Sequence, residues 1–299
     1  MIFLLKKILK KNIYIYKLSK LLYLSTLHSL IKIISFRKDF FLKRNPKKEK
    51  KIKLLNHDFY FSKYSATYNV MFKNFEKSIQ TLKDSYNLLS KNFFEKEINI
   101  ILDVGANIGY QSLFYNHYFK NKVNILCFEP HTINYHYLKL NLESFKNIKL
   151  FNFALGATNK EDYIAIPNFE SHRKSNFGLM AIGQKSSIFK EKISIKKFDD
   201  LNIFFKGEDE IYVKIDVEGY EQYVLDGMSN FLKTYNKIYI CIEINRNYNN
   251  ETSVKKIISF LNIFNFKFFM IKNHQLLKIE KELIINKASN ITTNVYCKK

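Results

Sequence analysis

A loop with two glycines follows an apolar segment one third of the way along the chain. The segment over residues 98–104 is almost entirely apolar, as expected of a strand that a parallel sheet buries on both faces. Gly105 can adopt a positive φ and bring the backbone close to a ligand, and Gly109 lets a helix over residues 110–119 begin tightly against the strand. We therefore predict a small-molecule site at the N-terminus of that helix. Its candidate residues are Asp103, Gly105, Ala106, Asn107 and Gly109.

An acid at the end of the next predicted strand indicates what this loop binds. The strand over residues 123–128 is followed by Glu129, twenty residues after Gly109, where a carboxylate accepts hydrogen bonds from ribose hydroxyl groups. Asn107 stands where the dinucleotide-binding pattern has its second glycine, which argues against a pyrophosphate. S-adenosylmethionine fits both observations, because it has a ribose, an adenine and a cationic sulfonium but no phosphate. The alternative is a glycine-containing turn in another kind of α/β domain.

A polar residue in the third predicted strand is the candidate for binding the adenine. Asn152 lies in the segment over residues 148–155. In a fold of this kind the carboxyl end of that strand borders the base. An asparagine that merely closes the strand is the competing interpretation.

Two carboxylates that follow a buried strand over residues 210–215 are the candidate catalytic residues. Asp216 and Glu218 lie at its carboxyl end, where open parallel sheets bind ligands, and Glu243 lies near the end of the strand over residues 237–244. We expect Asp216 to remove the proton of a hydroxyl group or to orient that group, with Glu218 as its support. The alternative is that the acids bind a divalent cation that lowers the pKa of the hydroxyl, although we assign no metal site. Each acid alone could equally be a helix cap or the partner of a lysine.

The remaining patterns indicate a Rossmann-like α/β fold with a seven-stranded, mostly parallel sheet, helices on both faces and a basic helical N-terminal extension. The other predicted elements are helices over residues 72–94, 133–143, 221–232 and 253–261, a hairpin over 158–166, and strands over 266–271 and 293–297. Residues 167–190 lack periodicity and are assigned to substrate access, where His172 and Arg173 either bind an anion or are simply solvated. The predicted domains are an extension and linker over 1–55, a lid or support segment over 56–97 and a catalytic domain over 98–299.

Composition limits the partners and the location. The chain has 299 residues, of which 46% are hydrophobic and 25% charged, as in a globular protein with a large core. Its net charge of +22 would favour nucleic acid if it surrounded the site. Residues 1–55 hold sixteen basic and two acidic residues, a charge of +14, which leaves +8 for the other 244 residues, so nucleic acid is not the expected partner. Cys127, Cys241 and Cys297 are too widely separated for a zinc cluster or a disulfide framework, which indicates a reducing cytoplasm.

The basic charge belongs mainly to an N-terminal extension. Residues 1–42 combine lysines at three- to four-residue spacing with Leu, Ile, Tyr and Phe, which predicts one or two basic amphipathic helices. These helices could lie on the anionic inner surface of a membrane or pack on the catalytic domain, and both interpretations stay open. The extension has no apolar run of the ~18 residues that a membrane span needs. Residues 44–53 then form a polar linker.

Five motifs occur in the order and at the spacing of one enzyme family. They are DVGANIG, FEP, NFALG, KIDVEGYEQYVLDG and CIEI. With them the chain resembles the FkbM family of S-adenosylmethionine-dependent methyltransferases over about residues 98–272. The resemblance implies a Rossmann-like seven-stranded sheet and O-methylation, often of sugars or other hydroxylated natural products. By position it assigns Asp103, Gly105, Asn107 and Gly109 to the first cofactor motif, Glu129 to the ribose, and Asp216 with Glu218 to the acidic motif after the fourth strand.

We therefore expect a cytoplasmic S-adenosylmethionine-dependent O-methyltransferase that acts on a sugar, a glycan or another small hydroxylated metabolite. One alternative is an RNA methyltransferase, which would need basic residues around the cofactor, whereas most of the excess charge lies in the extension. Another is a non-enzymatic module that binds lipid or nucleic acid through residues 1–55 and keeps a vestigial cofactor fold. The presence of both Asp103 and Glu129 argues against a vestigial site.

Overall fold

The computed structural model describes residues 49–62, 66–166, 182, 189–245, 247–288 and 292–299. Glu49–Lys299 form a compact unit. The helices predicted over residues 1–42 lie outside the described residues, as do His172, Arg173 and most of the segment assigned to substrate access. No helix in the described part of the chain is long and apolar enough to cross a membrane.

The described residues form thirteen strands and seven α-helices. The strands are β1 (Glu49–Leu54), β2 (His57–Ser62), β3 (Ile100–Val104), β4 (Asn124–Phe128), β5 (Ile148–Phe151), β6 (Ala154–Leu155), β7 (Lys160–Ile166), β8 (Phe189–Lys196), β9 (Ile211–Ile215), β10 (Ile238–Ile244), β11 (Lys267–Lys272), β12 (Gln275–Lys278) and β13 (Thr293–Lys298). The helices are α1 (Ala66–Asn92), α2 (Tyr110–Tyr118), α3 (Thr132–Leu142), α4 (Glu221–Asp226), α5 (Ser229–Thr234), α6 (Glu251–Ile263) and α7 (Lys281–Ala288). The helices predicted over residues 110–119, 133–143 and 253–261 are confirmed as α2, α3 and α6.

The central sheet has eight strands among the described residues, in the order β12-β11-β13-β10-β9-β3-β4-β5. The strands β10, β9, β3, β4 and β5 run parallel, whereas β13 lies antiparallel between β10 and β11, and β12 pairs antiparallel with β11. The predicted α/β class is confirmed, but the sheet is a mixed one of eight strands rather than the predicted seven. The sequence does not reveal β12 because most of its side chains are exposed and its apolar residues do not alternate.

Alternate residues of the buried strands point into two separate cores. On β9, Ile211, Val213 and Ile215 pack in one core with residues of α4 and α6. Tyr212, on the opposite face of the same strand, packs in the other core with residues of α1, α2 and α3. Helices therefore cover both faces of the sheet, as the near-continuous apolar strands predict.

The region after β5 differs from the prediction. The sequence predicts one strand over residues 148–155 and a hairpin over 158–166, but β5 ends at Phe151. The strands β6, β7 and β8 form a separate three-stranded sheet in the order β6-β8-β7, which we call the small sheet. Within it, β7 pairs antiparallel with β8. Both predictions are wrong because local alternation does not show which strand lies alongside, and 22 residues separate β7 from β8.

Two other segments also differ from the prediction. The helix predicted over residues 221–232 is two short helices, α4 and α5, separated by Gly227 and Met228. Residues 49–54 of the predicted polar linker form β1, which pairs with β2 and buries Leu54 completely. The lysines of this segment conceal the alternation of its few apolar side chains in the sequence.

Gly105 and Gly109 allow close approaches that a side chain would block. The φ of Gly105 is +85°, and a Cβ there would lie 1.9 Å from the carbonyl oxygen of Asp216. The φ of Gly109 is +87°, and a Cβ there would lie 2.8 Å from Cδ1 of Leu142 and 2.9 Å from Cδ1 of Leu138. The absence of a side chain at Gly109 therefore lets the start of α2 pack against α3 rather than against the strand. At Gly105 it lets the backbone after β3 approach the backbone after β9.

We predict that Gly105→Ala lowers the melting temperature by ~5 °C or more. A non-glycine residue in this backbone region costs ~1–3 kcal/mol, and the collision with Asp216 adds to that cost. Thermal unfolding followed by circular dichroism measures the change. Gly207→Ala is the control, because a Cβ at Gly207 meets nothing within 4 Å. Equal melting temperatures for the two variants would contradict the role of Gly105.

Candidate active site

The carboxyl ends of neighbouring parallel strands bring the predicted site residues together. The strand β3 lies between β4 and β9, and Val104 is aligned with Phe128 on one side and with Ile215 on the other. The segments that follow these strands therefore meet at one edge of the sheet, which is where open α/β sheets bind ligands. These segments are Gly105 to Gly109 after β3, Glu129 after β4 and Asp216 to Gly219 after β9.

A buried lysine joins two of these segments. The Nζ atom of Lys214 lies 3.1 Å from Oδ2 of Asp216 and 3.6 Å from Oδ1 of Asp103. Asp103 is completely buried and also accepts a hydrogen bond from the hydroxyl of Ser112. Burial opposes the charge of the ammonium group, but the carboxylates of Asp216 and Asp103 outweigh it and raise the pKa of Lys214. Lys214 is therefore a charged link between the glycine loop and a candidate catalytic acid.

Three donors hold Glu129 at the end of β4. Its Oε2 accepts a hydrogen bond from the backbone amide of Asn107 at 2.9 Å. Its Oε1 accepts hydrogen bonds from the backbone amide of His131 at 3.0 Å and from the side chain of Asn134 at 3.4 Å. Burial raises the pKa of Glu129 to about 7, against the lowering effect of these hydrogen bonds. Glu129 thus connects the glycine loop to the start of α3.

These groups fit the adenosine part of S-adenosylmethionine. Each carboxylate oxygen can accept two hydrogen bonds, so Oε2 of Glu129 can accept one from a ribose hydroxyl besides that from Asn107. The Oδ1 atom of Asn107 is buried and has no hydrogen-bond partner within the described residues, so it requires a donor. Glu129 and Asn107 both present acceptor oxygens here, which favours hydroxyl groups over a phosphate.

Ala106 and Asn152 support the geometry of the loop and of the turn beside it. The backbone amide of Ala106 donates to the carbonyl oxygen of Phe128 at 3.0 Å. The Nδ2 atom of Asn152 donates to the carbonyl oxygens of Glu129 at 3.0 Å and Pro130 at 3.1 Å. Asn152 therefore fixes the turn that carries Glu129, and its contact with adenine stays a prediction.

Asp216 has three further carboxylates around it. Glu218 accepts a hydrogen bond from Nδ2 of Asn245 at 2.8 Å, and burial together with the charge of Asp216 raises the pKa of Glu218 to about 8. Burial and Asp216 likewise raise the pKa of Glu243 to about 7. Glu221 is buried and accepts two hydrogen bonds, and burial raises its pKa as well. Groups at this edge of the sheet can therefore bind or release a proton near neutral pH.

Thiol chemistry is not available at this site. Cys127, Cys241 and Cys297 are free and buried, and burial raises the pKa of all three thiols. A thiol with a raised pKa is protonated at neutral pH and is a poor nucleophile. Within the described residues, no group of three or more His, Cys, Asp or Glu side chains is arranged to hold a metal ion.

Sequence reasoning missed Lys214, His131 and Asn245. A signal existed for Lys214, since a lone lysine inside an apolar strand needs a carboxylate partner when the strand is buried. His131 precedes α3, and its side chain accepts a hydrogen bond from the backbone amide of Asn134. This is a local helix-capping contact that the sequence could have indicated. No local signal exists for the bond from Asn245 to Glu218, because 27 positions separate the two residues.

Comparison with known proteins identifies related chains. A family profile described as the methyltransferase FkbM domain matches residues 103–268, more than half of the chain. No curated protein sequence matches the chain.

Three solved structures have similar chain traces, and two of them are described as methyltransferases. Methyltransferase FkbM from Methylobacillus flagellatus KT is 15% identical, with a TM-score of 0.42, and the alignment covers 67% of this chain and 43% of that one. This chain therefore spans less than half the length of that relative. Precorrin-6y C5,15-methyltransferase from Geobacter metallireducens GS-15 is 11% identical, with a TM-score of 0.36 and coverages of 72% and 88%. M. jannaschii TYW2 in complex with AdoMet is 11% identical, with a TM-score of 0.38 and coverages of 84% and 87%.

We predict that S-adenosylhomocysteine binds more weakly as the pH falls through about 7. Ribose hydroxyl groups donate to the ionised carboxylate of Glu129, whose pKa in the free protein is about 7. Affinity is therefore full above pH ~8 and decreases by up to ~10-fold per pH unit below the free-protein pKa. Calorimetric titrations at a series of pH values measure this dependence.

The same titrations on two variants test the assignment to Glu129. Glu129→Gln should bind at least ~10-fold more weakly at pH 8, because charge-assisted hydrogen bonds are lost, and its affinity should not follow the same pH dependence. Glu143→Gln, which changes an exposed acid just beyond the end of α3, is the control and should behave like the wild type. Wild-type affinity in Glu129→Gln would remove Glu129 from the cofactor site.

Proposed function

We propose that this chain, which belongs to the FkbM methyltransferase family, is an S-adenosylmethionine-dependent methyltransferase that methylates a hydroxyl group of a sugar, a glycan or another small hydroxylated metabolite. The single observation that carries this proposal is Glu218, with a pKa of about 8, in the turn that touches the glycine loop. A hydroxyl group loses its proton as its oxygen attacks a methyl group, so a carboxylate with a pKa near the working pH suits the reaction.

The residues of the chain bind the cofactor, orient the acceptor hydroxyl and accept its proton. S-adenosylmethionine, when bound, supplies a methyl group on a cationic sulfur that an oxygen can attack directly. Glu129 and the loop from Gly105 to Gly109 would hold the adenosine part. The carboxylates of Asp216, Glu218 and Glu243 favour a cation at this edge of the sheet. Fixing two reactants in an attack geometry supplies a large part of the rate enhancement.

We assign different roles to the two candidate catalytic residues. Asp216 is held by Lys214 at 3.1 Å, and a fixed carboxylate suits the orientation of the acceptor hydroxyl. Glu218 is bonded to the neutral amide of Asn245, and its carboxylate is free of a proton above pH about 8. Glu218 therefore takes the proton of the hydroxyl, while Asp216 aligns the oxygen.

We also propose a peripheral contact of the enzyme with an anionic membrane from the cytoplasmic side. The support is the charge of +14 on residues 1–55 together with the apolar side chains of residues 1–42. Each basic residue near an anionic surface contributes ~1 kcal/mol, so several of them would hold the chain reversibly.

We predict that Asp216→Asn and Glu218→Gln both lower methyl transfer but differ in their dependence on pH. The turnover number of the wild type should rise with pH up to about 8, as Glu218 loses its proton. Glu218→Gln should lower the turnover number about 10²–10⁴-fold. Its turnover should also no longer rise with pH. Asp216→Asn should reduce the turnover number but keep its increase with pH. Mass spectrometry of glycans incubated with the protein and S-adenosylmethionine measures the gain of one methyl group.

Two controls separate these effects from general damage. Glu208→Gln changes an exposed acid and should leave turnover unchanged. Calorimetry with S-adenosylhomocysteine should give near-wild-type affinity for Glu218→Gln, because Glu129 is intact. A pH profile unchanged by Glu218→Gln would contradict the role of Glu218 as the proton acceptor. Methylation of RNA but of no glycan or small metabolite would contradict the proposed acceptor.

A further inference from the structure

A second carboxylate contacts the turn that carries Glu129. Glu191 lies on β8 of the small sheet and is mostly buried, with 21% of its side chain exposed. Its Oε1 accepts hydrogen bonds from both the backbone amide, at 2.8 Å, and the hydroxyl of Thr132. Its Oε2 lies 3.2 Å from Nε2 of His131. Glu191 thus reaches from the small sheet to the first residue of α3.

The position of Glu191 is electrostatically favourable. The first amides of a helix lack intrahelical partners and carry partial positive charge, so a carboxylate there stabilises the helix start. The imidazole of His131 is completely buried, and its Nδ1 atom accepts a hydrogen bond of 3.4 Å from the backbone amide of Asn134. A neutral ring that accepts at Nδ1 carries its proton on Nε2, which is the atom that faces Glu191. Contacts at both nitrogens therefore fix the ring.

The same short turn donates hydrogen bonds to Glu129. The backbone amide of His131 and the side chain of Asn134 both donate to Oε1 of Glu129, at 3.0 and 3.4 Å. Glu191 holds His131 and Thr132 on one side of the turn, and Glu129 accepts hydrogen bonds from the other side. A displacement of the turn away from β8 would move the donors of Glu129.

We propose that Glu191 is a positioning residue for Glu129, through which the small sheet contributes to cofactor binding. The inference rests on the proposed role of Glu129 as the ribose-binding acid. Glu191 does not touch the cofactor in this account, because it acts through His131 and Thr132. Its own negative charge is also among the influences that raise the pKa of Glu129. Glu191 therefore affects both the geometry and the protonation of the ribose-binding carboxylate.

Calorimetric titration with S-adenosylhomocysteine tests the proposal on the full chain. Glu191→Ala removes every contact of the carboxylate with the turn, and we expect a loss of affinity of about tenfold or more. Glu191→Gln keeps an acceptor for Thr132 and should recover part of that loss. The matched control is Glu161→Gln on β7 of the same sheet, since Glu161 is exposed and forms a surface ion pair with Lys192. This control should bind like the wild type.

A pH series distinguishes positioning from general destabilisation. The hydrogen bonds from His131 and Asn134 lower the pKa of Glu129 more than the charge of Glu191 raises it, so displacement of the turn in Glu191→Ala should move the pH midpoint of S-adenosylhomocysteine binding to a higher pH. A purely structural role would lower the affinity equally at every pH and leave the midpoint unchanged, which would overturn the proposal. Wild-type affinity in Glu191→Ala would also overturn it. Failure of the wild type itself to bind S-adenosylhomocysteine would instead overturn the proposed function.

Discussion

The ammonium group of Lys214 is buried between the carboxylates of Asp103 and Asp216, and the geometry of the site depends on this contact. An unpaired ammonium group in such a position would cost several kcal/mol, so Lys214 depends on its carboxylate partners to stay buried and charged. The parallel register of β3 and β9 sets Asp103 beside Lys214. The acid of the glycine loop and the acid of the catalytic turn are therefore held by one cation and cannot shift independently.

The glycine loop and the turn that carries Glu129 complete the arrangement on the other side of β3. Gly105 allows the loop to touch the carbonyl of Asp216, while the backbone amide of Asn107 donates to Glu129. Three strand ends are thus connected through hydrogen bonds, a close backbone approach and the two ion pairs of Lys214. This connection keeps Glu129, the proposed ribose-binding acid with a pKa of about 7, and Glu218, the proposed proton acceptor with a pKa of about 8, at the same edge of the sheet. Acids of raised pKa can serve binding and proton transfer near neutral pH.

Much of this arrangement could be predicted from the sequence, because the strands that form the site are short apolar runs that end in polar residues. The apolar runs that form β3, β4 and β9 place Asp103, Glu129 and Asp216 at one edge of a parallel sheet. The role of Lys214 could not be derived in the same way, since its pairing depends on the register between strands that are distant in sequence. No local periodicity of apolar residues indicates the pairing of β7 with β8 or the presence of the exposed strand β12. Contacts across long separations, such as Asn245 with Glu218, are set by the tertiary fold.

The most direct test of the central claim is a crystal structure of the full chain with S-adenosylhomocysteine bound. The account predicts that the ribose hydroxyl groups hydrogen-bond to Glu129 and that the adenosine lies along the loop from Gly105 to Gly109. It also predicts that the sulfur faces the edge of the sheet formed by Asp216 and Glu218. Binding of the ligand elsewhere, or with its ribose away from Glu129, would contradict the account.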